Sequence, residues 1–242
     1  MIEVGKFSLR IKDRQILDGI DFAIGKGEAL GISGSMGSGK TSLLYCMKGI
    51  IPKMKKGELS GSIKIAGKGR GGLRRDVGIV FQDPNDQIFS KTVYDEVCFG
   101  LRNHGYSDAV LEEKAEEALN MMGLWNRRKE DPFVLSHGQR QKLAIASVLA
   151  MEPEVLLLDE PTASLDHRTT VEVYRKLDEL REEGNTVVVV EHDTDMLVSF
   201  ADKFLIIDHG MQKAFGDERV FHHPEVEQAG VKIPWGLREE KG

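Results

Sequence analysis

Gly34-Ser-Met-Gly-Ser-Gly-Lys40-Thr41 fits the spacing G-x-x-x-x-G-K-[ST], and that spacing demands a strand, a tight loop and a helix in that order. Gly34, Gly37 and Gly39 allow the backbone to turn sharply enough for successive N–H groups to face one anion. A helix opening near Lys40 adds its positive end, where phosphate is favoured. Lys40 supplies a charge for terminal phosphates and the Thr41 hydroxyl a ligand for Mg²⁺. Ser35, Ser38 and Ser42 belong to the same binding segment. The flanks agree: Glu28 to Ser33 is a short apolar run, and Leu43, Leu44 and Met47 have helical spacing.

A second chemical segment lies far downstream. Val155-Leu-Leu-Leu-Asp159-Glu160 is an apolar strand ending in two carboxylates, a costly arrangement to bury without a cation. Val187 to Val190 and Lys203 to Asp208 are further apolar runs of the kind buried on both faces of a parallel sheet. Ligands sit at the carboxyl ends of such strands, where Ser33, Asp159 and Glu191 fall.

Elsewhere, near-alternate apolar residues over 2–11 and 16–24 predict two antiparallel strands joined by the polar turn Lys12 to Gln15. Strands are also expected at 58–65 and 77–81, with the basic stretch Gly67 to Arg75 between them as a solvated hairpin or loop. Helices are expected over 92–101, 108–122 (capped by Ser107 or Asp108), 136–150 and 168–181. The α/β pattern is thus interrupted by a helical insertion. Residues 1–85 and 150–220 form the expected nucleotide-binding core with an antiparallel β subdomain, 86–149 the helical subdomain, and 221–242 a C-terminal tail.

Composition sets limits. At 242 residues, with 40% hydrophobic and 30% charged residues, the chain reads as an ordinary soluble globular protein. The net charge of -6 lends no support to nucleic-acid binding. Two cysteines, Cys46 and Cys98, both in apolar settings, read as buried thiols rather than a disulfide framework. With no apolar run of bilayer length and no signal pattern, the expectation is an intracellular protein that touches a membrane through partners. Trp125, Trp235 and the His222-His223 pair carry no assigned role beyond packing or a solvated tail.

The set Gly34 to Thr41, Gln82, Leu135-Ser-His-Gly-Gln139, Asp159-Glu160, Ser164-Leu-Asp166 and His192, in that order, resembles the nucleotide-binding subunit of ATP-binding cassette (ABC) transporters over roughly nine-tenths of the chain. The resemblance implies a P-loop (RecA-like) α/β core, with ATP and Mg²⁺ as ligands. It implies that Asp159 holds Mg²⁺ beside the phosphates and that Glu160 polarises an attacking water. It also implies catalytic roles for Glu160, Gln82 and His192, with Gln82 also reaching the metal and His192 the γ-phosphate. It further implies that Ser136, Gly138 and Gln139 close over ATP held by a second cassette, a copy or a relative, and that dimer closure and opening are the power stroke.

Two departures from the family pattern matter. His137 replaces the first glycine of the usual Leu-Ser-Gly-Gly-Gln, which introduces strain if that position needs a positive φ. Ile11 stands where an aromatic residue commonly stacks on adenine, giving up about 1 kcal/mol or more of base affinity.

Val80 to Phe89, continuing through Thr92-Val and Val97 to Leu101, and the tail segment Gln228 to Pro234 look like the ATPases of energy-coupling factor importers of vitamins and transition-metal ions. That resemblance implies a peripheral subunit on the cytoplasmic face of the membrane, with the substrate-binding membrane component engaged only indirectly. Asp86 would pair with an arginine of a membrane subunit's coupling helix, and Ile88 with Phe89 would seat it, unless the two are core. A different importer, or a cytosolic assembly ATPase such as that of iron-sulfur cluster systems, is the alternative. DNA-repair relatives carry a much longer insertion, and translation-associated ones carry two cassettes.

Overall fold

The computed structural model describes residues 1–53, 56–69, 74, 76–163 and 165–238. Along the chain, β1 (Ile2–Ile11) and β2 (Arg14–Ile24) form an antiparallel hairpin, and β3 (Ala29–Ser33) leads into α1 (Lys40–Lys48). A short turn, α2 (Ile50–Lys53), precedes β4 (Glu58–Ile65) and β5 (Val77–Val80). Then come α3 (Val93–Asn103), α4 (Asp108–Met121), α5 (His137–Leu149), β6 (Val155–Asp159) and α6 (His167–Glu182). The order closes with β7 (Thr186–Val190), α7 (Thr194–Phe200), β8 (Lys203–Asp208), β9 (Met211–Gly216) and α8 (Pro224–Gln228). The class is α/β, as expected.

The described chain forms two compact units, 1–75 with 180–242, and 76–179. In the first, the strand order is β4-β1-β2-β9-β8-β3-β7. β3 lies between β7 and β8, parallel to both, and every residue of β3 and β7 is buried. That explains the unbroken run of valines, since a strand covered on both faces has no solvent side to mark with polar residues. β1, β2 and β4 pair antiparallel and alternate buried with exposed positions over much of their length.

The first hairpin turns at Lys12-Asp13, tighter than the sequence implies, because Arg14 and Gln15 already pair with Ile11 and Arg10. Lys12 takes φ 52° to close it. The basic stretch expected as a hairpin lies partly outside the described residues (70–73 and 75). Its described part includes Arg74, which donates to the carbonyls of Lys68 and Gly69, so this arginine is a staple and not a solvated charge.

The tail of this unit is fastened. Thr194 Oγ1 donates to the Lys232 carbonyl at 2.9 Å, and Asp195 accepts from Lys232 Nζ at 2.7 Å and from the Trp235 amide at 2.5 Å. Those donors hold the Asp195 carboxyl below its ordinary range.

In the second unit β5 and β6 pair in parallel, and α3, α4 and α5 pack on one another through Val97, Leu101, Leu111, Ala115, Leu119, Leu143 and Ile145. Cys98 is buried here as Cys46 is in the first unit, and burial raises its thiol pKa, as a structural thiol's should be. Among the described residues, no helix is long and apolar enough to cross a membrane.

Candidate functional site

The phosphate loop leaves the carboxyl end of β3 and enters α1, as its spacing requires. A β-carbon on Gly34 would lie 1.8 Å from the Ile207 carbonyl oxygen of β8, so the loop's first turn is pressed against the neighbouring strand. Lys40 is 5% exposed and folds back to donate to the carbonyls of Gly34 at 3.0 Å and Ser35 at 2.8 Å. Ser35 Oγ donates to Asp208, while Ser38 Oγ is buried with no hydrogen-bond partner among the described residues. A buried, unsatisfied hydroxyl costs free energy, so it points to a missing acceptor.

The start of α1 has the same character. Gly39 caps it without a side-chain acceptor, and no acidic residue occupies the first turn, which carries Thr41 and Ser42. Its leading N–H groups are therefore suited to an anionic ligand. Phosphate bound there would accept from these amides, from Ser38 and from Lys40, and the Thr41 hydroxyl is a hard oxygen donor suited to Mg²⁺. The residues present fit a Mg²⁺–nucleotide.

Two further predicted residues belong to this unit. Glu191 N donates to the Ile32 carbonyl at 3.1 Å, continuing the β3–β7 register past Val190, so exposed His192 follows β7 as Gly34 follows β3. Ile11 stands at the tip of the β1–β2 hairpin. The same hairpin approaches the phosphate loop through Leu17 and Ile16, which would lie 2.7 Å and 2.9 Å from a β-carbon on Gly39.

In the second unit, β6 delivers Asp159, 2% exposed, and then Glu160. Gln82, just past β5, donates through Nε2 to Glu160 Oε2 at 2.7 Å. The structure thus joins two residues that the sequence holds 78 apart. Glu160 takes φ 46°, a left-handed conformation that costs a non-glycine residue about 1 kcal/mol or more.

Ser136 caps α5 in a capping box: its hydroxyl accepts from Gln139 N, and Gln139 Oε1 accepts from Ser136 N at 3.0 Å. Ser136, Gly138 and Gln139 line an open cleft of about 340 Å³ with Lys142, Leu165, Asp166 and Thr169. Lys142 forms an ion pair with Glu172. Asp166 accepts from the Thr169 amide and hydroxyl, which lower its carboxyl pKa. Ser164 lies outside the described residues.

Two expectations are corrected here. His137 is the first residue of α5 and is not among the positive-φ residues, so it introduces no backbone strain. Ile88 is 3% exposed and belongs to the core, whereas Phe89 is 60% exposed and meets Phe99 edge-on, with ring centroids 4.6 Å apart. Of the two residues only Phe89 is at the surface, where it lies against the exposed Phe99. Asp83 caps the turn Pro84–Asp86 by accepting from Asn85 N, and Asp86 is exposed. Arg127 reaches Gln139 from twelve residues upstream through a 2.6 Å hydrogen bond, a contact with no signature in residue spacing.

The family model described as "ABC transporter" matches residues 17–163. The chain is 38% identical over 224 residues to the energy-coupling factor transporter ATP-binding protein EcfA of Carboxydothermus hydrogenoformans, spanning 90% of this chain and 81% of that one. It is 40% identical over 231 residues to a putative ABC transporter ATP-binding protein of Methanosarcina mazei. That match takes 90% of this chain but spans only 39% of the longer relative.

Among solved structures, cbiO1 of Clostridium perfringens, part of the ABC transporter complex cbiONQ, superposes with a TM-score of 0.81 at 32% identity, covering 96% of this chain and 95% of that one. A dimeric ATP-binding cassette bound to ADP and phosphate gives 0.77 at 29% identity, covering 90% and 98%.

Proposed function

The chain belongs to the ABC transporter ATPase family, and from that premise we propose that it hydrolyses ATP to drive import through a transporter of the energy-coupling factor type, by closing and opening as one half of a dimer. The observation that carries the hydrolytic part is the strained Glu160, held by Gln82 directly after the buried Asp159. A chain that only bound nucleotide would have no use for that second carboxylate.

In this reading the loop amides, Ser38 and Lys40 bind the phosphates. The Thr41 hydroxyl of the first unit would be a ligand for Mg²⁺, and Asp159 with Gln82 would be the cation-binding groups of the second. Bound Mg²⁺ would supply positive charge to offset that of the phosphates. Glu160 takes the proton of the attacking water, and its bond to Gln82 fixes the direction its carboxylate faces. His192 donates to the γ-phosphate. Ser136, Gly138 and Gln139 act on nucleotide held by the second cassette, a copy or a paralogue, which the relative solved as a dimer with ADP and phosphate supports.

The import reading rests on similarity to EcfA and cbiO1 and on the exposed Phe89–Phe99 pair, with exposed Asp86 three residues before Phe89 in the chain. The pair offers aromatic area for a coupling helix, and Asp86 an anion for its arginine. The subunit then sits on the cytoplasmic face of the membrane. Purification of the tagged chain from its own membranes should recover an integral-membrane protein, and Phe89→Asp should lose it. Recovery of soluble partners alone would overturn transport in favour of an assembly ATPase.

Ile11 leaves a separate expectation. Ile11→Tyr adds a ring at the hairpin tip and should tighten ATP affinity about fivefold or more by equilibrium titration, within the ~1–3 kcal/mol that base stacking supplies. Unchanged affinity would place the base elsewhere.

A further inference from the structure

We propose that Arg127, braced by Glu130, is a positioning residue that holds the Ser136–Gln139 turn and ties it to the start of α3, behind the exposed Phe89–Phe99 pair. The kinetic part of this proposal rests on the ATPase reading above; the structural part does not.

All three guanidinium nitrogens donate hydrogen bonds. Its Nε lies 3.0 Å from both Glu130 carboxylate oxygens, Nη2 lies 2.6 Å from Glu130 Oε2, and Nη1 donates to Gln139 Oε1 at 2.6 Å. Gln139 Oε1 also accepts from Ser136 N, so its oxygen is consumed inside the turn. That fixes the carboxamide: the Nε2 donor is the end left for a ligand in the cleft that Gln139 lines. Without Arg127 the carboxamide oxygen keeps one hydrogen bond instead of two, and its orientation is less tightly held.

The same short segment holds the other end. The carbonyls of Glu130 and Arg128 accept from Val93 N at 3.0 Å and Tyr94 N at 2.9 Å, the first amides of α3. Within α3, buried Glu96 accepts from Phe89 N at 3.1 Å and Ser90 N at 2.8 Å. A path of hydrogen bonds joined by short covalent stretches therefore runs from Phe89 through Glu96, the α3 start, residues 128 and 130, and the Arg127 fork to Gln139.

Stability does not account for the fork. Arg127 and Glu130 side chains are 32% and 40% exposed, and ion pairs so accessible add little to folding. A planar guanidinium with three acceptor atoms instead confers orientation, which lysine, a rotating point charge, cannot reproduce.

The test uses the full chain carrying Arg127→Met, Arg127→Lys or Glu130→Gln. Amide exchange followed by NMR without nucleotide should speed about tenfold at Ser136, Gln139, Val93 and Tyr94 in Arg127→Met, with β3 and α1 unchanged. Turnover should fall about tenfold in kcat with KM for ATP within about twofold, and Arg127→Lys should recover only part of it. Unchanged exchange at these amides overturns the proposal, as does faster exchange with undiminished kcat. If the unaltered chain hydrolyses no ATP, the ATPase reading fails, and the exchange data still decide whether Arg127 holds the turn.

Discussion

Glu160→Gln is expected to lower kcat for ATP by about 10²- to 10⁴-fold, the usual contribution of a positioned general base, while ATP affinity changes little. The substitution preserves volume, leaves an oxygen for the Gln82 donor, and asks no more of the left-handed backbone at φ 46° than glutamate does. The fold should therefore survive, and the lost activity reports chemistry alone. The same variant should accumulate as an ATP-dependent dimer on sizing with light scattering, because closure precedes hydrolysis and opening follows it. Undiminished turnover would remove Glu160 from the mechanism. A strictly monomeric protein at saturating ATP would count against a cassette pair whose Ser136–Gln139 turn acts on the partner's nucleotide.

Much of this was legible because the chemistry constrains spacing. The phosphate loop required a strand before it and a helix after it, and β3 and α1 are where the apolar runs place them. Strands buried on both faces announce themselves through composition, as Val187 to Val190 do. Elements with a weaker pattern escaped. β9 is half-exposed along most of its length, and its signal was the two-residue turn His209-Gly210, both at positive φ, directly after a strand. α7 is short, and its start was marked by Asp193, whose side chain accepts from the amides of Asp195 and Met196.

Side-chain partnership was the least legible level. Ile88 and Phe89 are adjacent and equally apolar, yet one is core and the other surface, a difference decided by the turn Pro84–Asp86 that precedes them. Arg127 reads in sequence as one basic residue among several. Only the turn that brings Glu130 and Gln139 to the same guanidinium gives it a role. His137 shows the converse: the departure drew attention in sequence, but the position is helical and tolerates a side chain.

Gly34→Ala and Gly37→Ala should separate two reasons for glycine within one loop. At Gly34 the added carbon meets the Ile207 carbonyl oxygen at 1.8 Å and its carbon at 2.9 Å, both backbone atoms of β8 that no rotamer change can move. Its φ of 147° adds conformational strain, so the combined cost is about 2–6 kcal/mol. At Gly37 nothing lies within 4 Å of the added carbon, and only the left-handed backbone, φ 73°, is penalised, by about 1–2 kcal/mol. For a chain of this size that difference predicts a fall in Tm of roughly 5–20 °C for Gly34→Ala and about 2–8 °C for Gly37→Ala. ATP binding should reverse the emphasis for Gly37: if the phosphates seat on this loop as proposed, a side chain and a shifted backbone at Gly37 disturb their cradle, so affinity should fall by about tenfold or more in a protein that remains folded. Calorimetric unfolding together with nucleotide titration reads both effects. Equal losses of stability would mean that Gly34 is not pinned against β8, and unchanged ATP affinity in Gly37→Ala would mean that the phosphates do not enter the loop over Gly37.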